Sequence, residues 1–261
     1  MIAVLSATEH DFYAMPLPLA VYSWAKLGVF SIVFVPSGDK PKLALAKKYC
    51  SELAVFFEFE CEEKRIPTYS QVSRLFGAAV GLWNHGGDND TLITADSDIC
   101  VFGDYFSKVR GDGIHVIGAD LTPADQYPMC FIAMAASVWK EVMGINKGYQ
   151  AHLSELIDPI EGIDIRGEQW SYDQWYIKKK IDESGLPVYL HNRAKEGTQF
   201  ASKRADRDGW NFDPFDLVDA HLPRPLIDID NFNKVYDLFK IKYPIDDLQW
   251  MQDYYNEYKL L

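Results

Sequence analysis

IAVLSA (2–7), VFSIVFVPSG (29–38) and AVFFEFE (54–60) are nearly unbroken apolar runs, and their lack of alternation most limits what this chain can fold into. A strand with one face in water alternates apolar and polar residues, whereas a strand apolar throughout is covered on both faces. Between the runs lie PLPLAVYSWAKLG (16–28), closing on Gly28, and KPKLALAKKYCSEL (40–53), with a lysine-rich face. Both have apolar residues at helical spacing. A further helix is predicted over TYSQVSRLFGAAVGLW (68–83), then a polar turn NHGGDND and the strand TLITA (91–95). Buried strands alternating with helices specify an α/β fold: a Rossmann-type, mostly parallel sheet flanked by helices. Right-handed crossovers then bring every strand's carboxyl end to one edge, where such sheets bind ligands.

The later chain is less regular. GIHVIGAD (113–120) reads as a strand, YPMCFIAMAASVWKEVMG (127–144) as a strand running into a helix, and EQWSYDQWYIKKKIDESG (168–185) as a helix ending at Gly185. Residues 191–211 lack periodicity and concentrate Arg193, Lys195, Lys203, Arg204 and Arg207, which predicts a mobile loop. From Ile227 to Leu261 two short aromatic-rich helices are predicted around KYPIDD.

Charge excludes one class of partner. The formal net charge of -12 repels phosphate backbones, so nucleic acid is not an expected partner. The four cysteines, Cys50, Cys61, Cys100 and Cys130, have no CxxC spacing and apolar surroundings, predicting free thiols in a reducing compartment. No apolar run approaches the roughly 18 residues of a membrane span, and no basic leader precedes the first strand. The expected location is cytoplasmic.

Three strand ends carry polar residues to the ligand edge: Thr8 with Glu9, Ser37 with Asp39, and Asp96 with Asp98. Carboxylates are costly to desolvate, and two flanking one small residue after an apolar strand suit a hard divalent cation. An Asp-x-Asp tripeptide alone carries little information; DID (228–230) is another, and a helix N-cap is the plainer use of such a residue.

Asp96-Ser97-Asp98, preceded by a helix bearing SQVSRL, resembles the Asp-x-Asp motif of GT-A-fold glycosyltransferases, over about residues 1–225 in order of elements. The resemblance implies a catalytic body over 1–226, with a donor half of about 1–110 and an acceptor half of about 111–226. Residues 227–261 would form a helical extension serving dimerisation, as a homodimer, or acceptor docking. It implies a nucleotide-diphosphate sugar, UDP-linked in most such families, as donor, and a glycan or small hydroxyl compound as acceptor. Mn²⁺ or Mg²⁺ would be held by Asp98, by Asp96 (metal or ribose), and by His221 of DAHLPRPL (219–226). Arg224 follows as a phosphate contact, although in several such families a glycine intervenes between the His and a Lys-Pro step; here the spacing from His221 is tighter, the glycine is missing and Arg replaces Lys. Arg74, 24 residues before Asp98, matches a donor-binding arginine, and Thr8, Ser37, Ser97 and Arg204 complete the implied donor contacts. Asp173 is the implied acceptor-side catalytic carboxylate, with Glu168 as competitor and Trp170 and Trp175 as acceptor platforms.

Three other functions fit less well. A sugar-1-phosphate nucleotidyltransferase would carry a glycine-rich basic loop after the first strand, and SATEHDFYAMPLPL has no glycine, lysine or arginine. A dehalogenase-type phosphatase would carry its Asp-x-Asp after the first strand. A non-catalytic nucleotide-sugar-binding protein would have no need of Asp173 beside the metal set.

Overall fold

In the computed structural model, which describes residues 1–80, 89–103, 109, 113–160, 171–193 and 210–261, the predicted apolar runs become β1 (Ile2–Ser6), β2 (Phe30–Pro36) and β3 (Ala54–Phe59). TLITA supplies β4 (Thr91–Thr94), followed by β5 (Ile99–Val101), β6 (Ile114–Ile117), β7 (Ile132–Ala135), β8 (Val188–His191) and β9 (Asp219–His221). Seven of these form one sheet in the order β3-β2-β1-β4-β7-β6-β8, and β5 and β9 pair separately. The helices are α1 (Asp11–Ala14), α2 (Leu17–Lys26), α3 (Pro41–Cys50), α4 (Ile66–Ser73), α5 (Ala136–Met143), α6 (Tyr149–Ile157), α7 (Tyr172–Ser184), α8 (Ile229–Lys242) and α9 (Gln249–Tyr258).

The unbroken apolar strands have the predicted consequence. Successive side chains point to opposite faces, so Ala3 and Leu5 of β1 join one core with α2, α3, α8 and α9, while Val4 joins another with α4, α5, α6 and α7. In β2, Val33 and Val35 face the first core and Ile32 and Phe34 the second. No described helix is long and apolar enough to cross a membrane, and all four cysteines are free thiols.

One expectation about the sheet is corrected. β7 pairs antiparallel with both β4 and β6, so it alone runs against the other six strands. Its amino end, after Pro128, Met129 and Cys130, therefore meets the carboxyl ends of β1, β4 and β6. Direct passage from β6 to its neighbour β7 through residues 118–131 needs no crossover helix, which is what permits the reversal.

The helix predicted over 68–83 starts earlier, at Ile66 with Pro67 in its first turn, and tightens into a 3-10 turn over Arg74–Ala79. Phe76 leaves helical geometry there (φ -105°, ψ 19°). Close approach to the sheet is the reason: a β-carbon on Gly77 would lie 2.9 Å from Val4 Cγ2. The strand predicted over 113–120 stops at Ile117, because Gly118 turns left-handed at φ 85° against the Arg193 side chain. Strands β8 and β9 and helix α6 were not expected; they are three to nine residues long, too short to declare a period. Residues 81–83, 168–170 and 194–209 of the predicted segments lie outside the described residues.

The two C-terminal helices are where expected, and their aromatic residues point inward. Phe232, Phe239, Tyr254 and Tyr258 are buried in the first core. The Tyr254 hydroxyl donates to the Ala14 carbonyl (3.1 Å) and the Tyr258 hydroxyl to Asp11 (2.9 Å). The aromatic content of this tail is thus used within the chain, bracing α1.

Candidate active site

A cavity of about 670 Å³ opens where the carboxyl ends of β1, β4 and β6 meet the amino end of β7. The position follows from the strand order. β1 is flanked by β2 on one side and β4 on the other, so connections diverge there and leave a crevice at the strand ends.

β4 delivers Asp96, Ser97 and Asp98 to its floor. Asp98, 2% exposed, opens β5, whose antiparallel partner β9 sets Ile99 opposite His221. That pairing brings His221 Nδ1 to 3.7 Å from Asp98 Oδ2. The same oxygen accepts from Arg224 Nε at 3.0 Å and from Arg224 Nη2. Burial alone would raise the Asp98 carboxyl, but His221 and Arg224 outweigh it and hold it well below the usual carboxylate range. The Ser97 hydroxyl between the two aspartates is buried and has no hydrogen-bond partner among the described residues.

Arg74 organises the opposite wall. Its Nη1 pairs with Asp96 Oδ1, its Nη2 donates to Asp173 Oδ2 at 2.9 Å, and Nε and Nη1 also reach the carbonyls of Gln71 and Ala95 at 3.3 Å. With 7% exposure, Arg74 bridges two carboxylates at the cavity wall. Asp173, in the first turn of α7, also accepts from the Gln174 N–H at 2.9 Å. Burial raises its carboxyl above the ordinary range, and the Asp96 charge adds to that while Arg74 opposes it.

The third wall is α1, at the end of β1. His10 caps this helix through Nδ1, accepting from the Phe12 N–H at 3.2 Å. Phe12 and Tyr13 present rings whose centroids lie 5.5 and 5.4 Å from the Arg224 guanidinium carbon. Cys130 closes the floor as an inert thiol, pushed up to about 12 by burial, with Asp96 adding to the effect.

Thus Thr8, Arg74, Asp96, Ser97, Asp98, Asp173, His221 and Arg224 all line one cavity. Ser37 does not: its N–H bonds the Phe59 carbonyl (2.9 Å) at the end of β2, away from the crevice between β1 and β4. Glu9 caps α3 through the N–H groups of Lys42 (2.8 Å) and Leu43 (3.1 Å). Trp175, 44% exposed, sits beside a separate shallow depression with Lys178 and Asp182, about 200° around the helix from Asp173. Trp170, Glu168 and Arg204 lie outside the described residues. Arg193, at the start of the basic segment, is buried, pairs with Asp219 at 2.7 Å, and lies over the Phe131 ring.

Sequence reasoning missed His10, Phe12, Tyr13, Thr122 and Gln174, all of which line the cavity. Two signals were present: EHDFY directly follows the first strand, and Gln174 adjoins Asp173.

The residues fit a divalent ion in part. Asp98 and His221 converge; the carboxylate suits Mn²⁺ or Mg²⁺, and of the two the imidazole favours Mn²⁺, because Mg²⁺ keeps to oxygen ligands. Asp96 does not complete the predicted set of three, because its carboxylate is turned to Arg74. Among the described residues no three His, Cys, Asp or Glu side chains converge on one point.

No protein-family model matches the sequence, and no curated protein matches it. Solved structures do resemble the fold. The galactosyltransferase LgtC, in complex with donor and acceptor sugar analogs, is 10% identical with a TM-score of 0.47, over 96% of this chain and 100% of its own. A glycosyltransferase involved in glycosylation of the PBCV-1 major capsid is 12% identical with a TM-score of 0.41, over 92% of this chain and 98% of its own. A 4-diphosphocytidyl-2C-methyl-D-erythritol synthase is 10% identical with a TM-score of 0.39, over 76% of this chain and 91% of its own. What this chain is similar to in fold, at low identity, is two glycosyltransferases and a synthase.

Proposed function

We propose that the cavity binds a nucleotide-diphosphate sugar, most simply a UDP-sugar, with a divalent ion at Asp98 and His221, and transfers the sugar to an acceptor hydroxyl. The observation that carries this is the meeting of two unlike carboxylates in one cavity. Asp98 is held strongly ionised beside an imidazole, while Asp173 is buried with its proton affinity raised. Environments that push two carboxyls apart assign them different work.

Charge supports the same reading. Three carboxylates against two guanidiniums line the cavity, so its acidic side chains outnumber its arginines. A diphosphate would be repelled from such a site, and a bound divalent cation reverses the sign. When bound, that ion supplies charge neutralisation of the departing diphosphate. The Ser97 hydroxyl, without a partner among the described residues, is free to meet a ribose or phosphate oxygen. Phe12 and Tyr13 offer aromatic faces to a base or sugar ring. Asp173 accepts the acceptor hydroxyl's proton, and the Gln174 carboxamide beside it meets a sugar hydroxyl.

The test is a thermal-shift panel of UDP-, GDP-, CDP- and ADP-sugars with and without Mn²⁺. Stabilisation grows with the logarithm of ligand over its dissociation constant. A metal-dependent rise for one base supports the reading; equal response to all, or to none, refutes it. A nucleoside triphosphate as ligand is disfavoured because residues 7–16 contain no glycine, lysine or arginine.

A further inference from the structure

A divalent ion placed between Asp98 Oδ2 and His221 would compete with Arg224 for the same carboxylate oxygen. Both Nε (3.0 Å) and Nη2 of Arg224 converge on Asp98 Oδ2, the same oxygen that faces His221 Nδ1. An ion bound to that oxygen would sit roughly 2.1 Å away, within about 5 Å of the guanidinium nitrogen that donates at 3.0 Å, and like charges so close repel. Binding the ion at that oxygen therefore requires Arg224 to leave.

Arg224 is also the partner able to move. Asp98 is fixed at the head of β5 and its side chain is 3% exposed, whereas the Arg224 side chain is 39% exposed at the cavity mouth. Its guanidinium lies over Phe12 and Tyr13, which can keep hold of the cation by its face while its edge lets go of the carboxylate.

We propose that Arg224 is an internal counter-ion for Asp98, exchanged for the divalent ion when a nucleoside diphosphate enters and gives the guanidinium a new anion. The site is thereby closed to metal alone, and metal and diphosphate bind with positive coupling. This rests on the metal-dependent nucleotide-sugar reading above and adds the order in which the charges are exchanged.

The experiment titrates Mn²⁺, followed by electron paramagnetic resonance, against the full chain as wild type, Arg224→Gln and Arg224→Lys, each alone and with saturating UDP. Coupling between ligands commonly amounts to 5–150-fold. Wild type should bind Mn²⁺ alone weakly and at least about fivefold more tightly with UDP. Arg224→Gln, which lacks the charge, should bind Mn²⁺ alone about tenfold more tightly than wild type, with the UDP enhancement largely lost. Arg224→Lys, which keeps the charge, should behave like wild type and serves if the glutamine variant fails to fold. If Arg224→Gln binds Mn²⁺ alone no more tightly than wild type while wild type still takes Mn²⁺ with UDP, the exchange is wrong and the site reading survives. An Arg224→Lys protein that binds Mn²⁺ alone as tightly as expected for the glutamine variant also overturns the exchange. Saturable Mn²⁺ binding by none of the three, with or without UDP, overturns both.

Discussion

Arg74 donates a 2.9 Å hydrogen bond to Asp173, 99 residues later in the chain, while its other amino group holds Asp96. One buried cation thus links the strand end that carries the Asp-x-Asp pair to the helix that carries the raised carboxyl. Removing it would leave two carboxylates facing each other without the cation between them.

That arrangement sets the first prediction. Arg74→Ala strands Asp173 without its counter-charge, and breaking a buried pair from one side costs about 3–5 kcal/mol. The urea unfolding midpoint of the variant should fall accordingly. Arg74→Lys restores the charge but not the planar fork that reaches both partners, so it should recover only part of the loss. A loss below about 1 kcal/mol for Arg74→Ala would mean that Asp173 is not charged in the native state.

Asp98→Asn keeps the shape of the side chain and removes its charge. If Asp98 holds the ion, calorimetric UDP affinity in the presence of Mn²⁺ should be lost while the far-ultraviolet circular dichroism spectrum is unchanged. Unaltered affinity would remove Asp98 from the metal site.

Asp173→Asn separates donor binding from transfer. Asparagine can still accept from Arg74, so UDP affinity should stay near wild type, while a missing general base lowers transfer about 10²–10⁴-fold. Full transfer activity in this variant would exclude Asp173 from the chemistry.

Much of this was legible in the sequence, and the rest was hidden for identifiable reasons. The unbroken apolar character of β1 and β2 announces a sheet covered on both faces, and the paired cores confirm it. Two of the Asp-x-Asp stretches, 96–98 and 228–230, read alike in one dimension but differ in space. Asp228 of the DID stretch caps α8 by accepting from the N–H groups of Asp230 and Asn231, whereas Asp98 of the other faces His221 and Arg224 in the cavity. Position after an apolar strand distinguishes them. The bridging role of Arg74 was not legible, because hydrogen bonding to a residue so distant in sequence depends on packing between α4 and α7. The reversal of β7 was likewise hidden, since an apolar strand carries no mark of its direction. Placing Ser37 at the site failed because several strand ends share one edge but only those at the crevice reach it.

Gly77 offers a test of the packing that sets Arg74 in place. A β-carbon there would lie 2.9 and 3.0 Å from the two γ-carbons of Val4, which is fully packed in the sheet and has no room to yield. Gly77→Ala should therefore destabilise by about 1–3 kcal/mol, the usual cost of overpacking, despite alanine's better backbone entropy. Pairing it with Val4→Ala should recover part of the loss in the same urea titration, and no recovery would rule out the steric account.

The pH dependence of stability should carry the signature of histidines kept neutral. His115 on β6 and His191 on β8 stack with ring centroids 5.3 Å apart, and their facing nitrogens are 3.0 Å from each other. Burial lowers the proton affinity of both, and for His115 the neighbouring His191 lowers it further. Burial, with Lys147 adding to it, does the same for His152, which stacks on Phe76. In the unfolded chain each would take up a proton near pH 6.5, so below that value the unfolded state binds more protons and stability falls as pH falls. Above it their contribution is complete and constant. The urea midpoint should thus drop between pH 7 and pH 5.5, and the drop should be smaller in His191→Asn, which removes one ring and its effect on His115. A variant that loses as much stability as wild type over that interval would show that this pair is not the source.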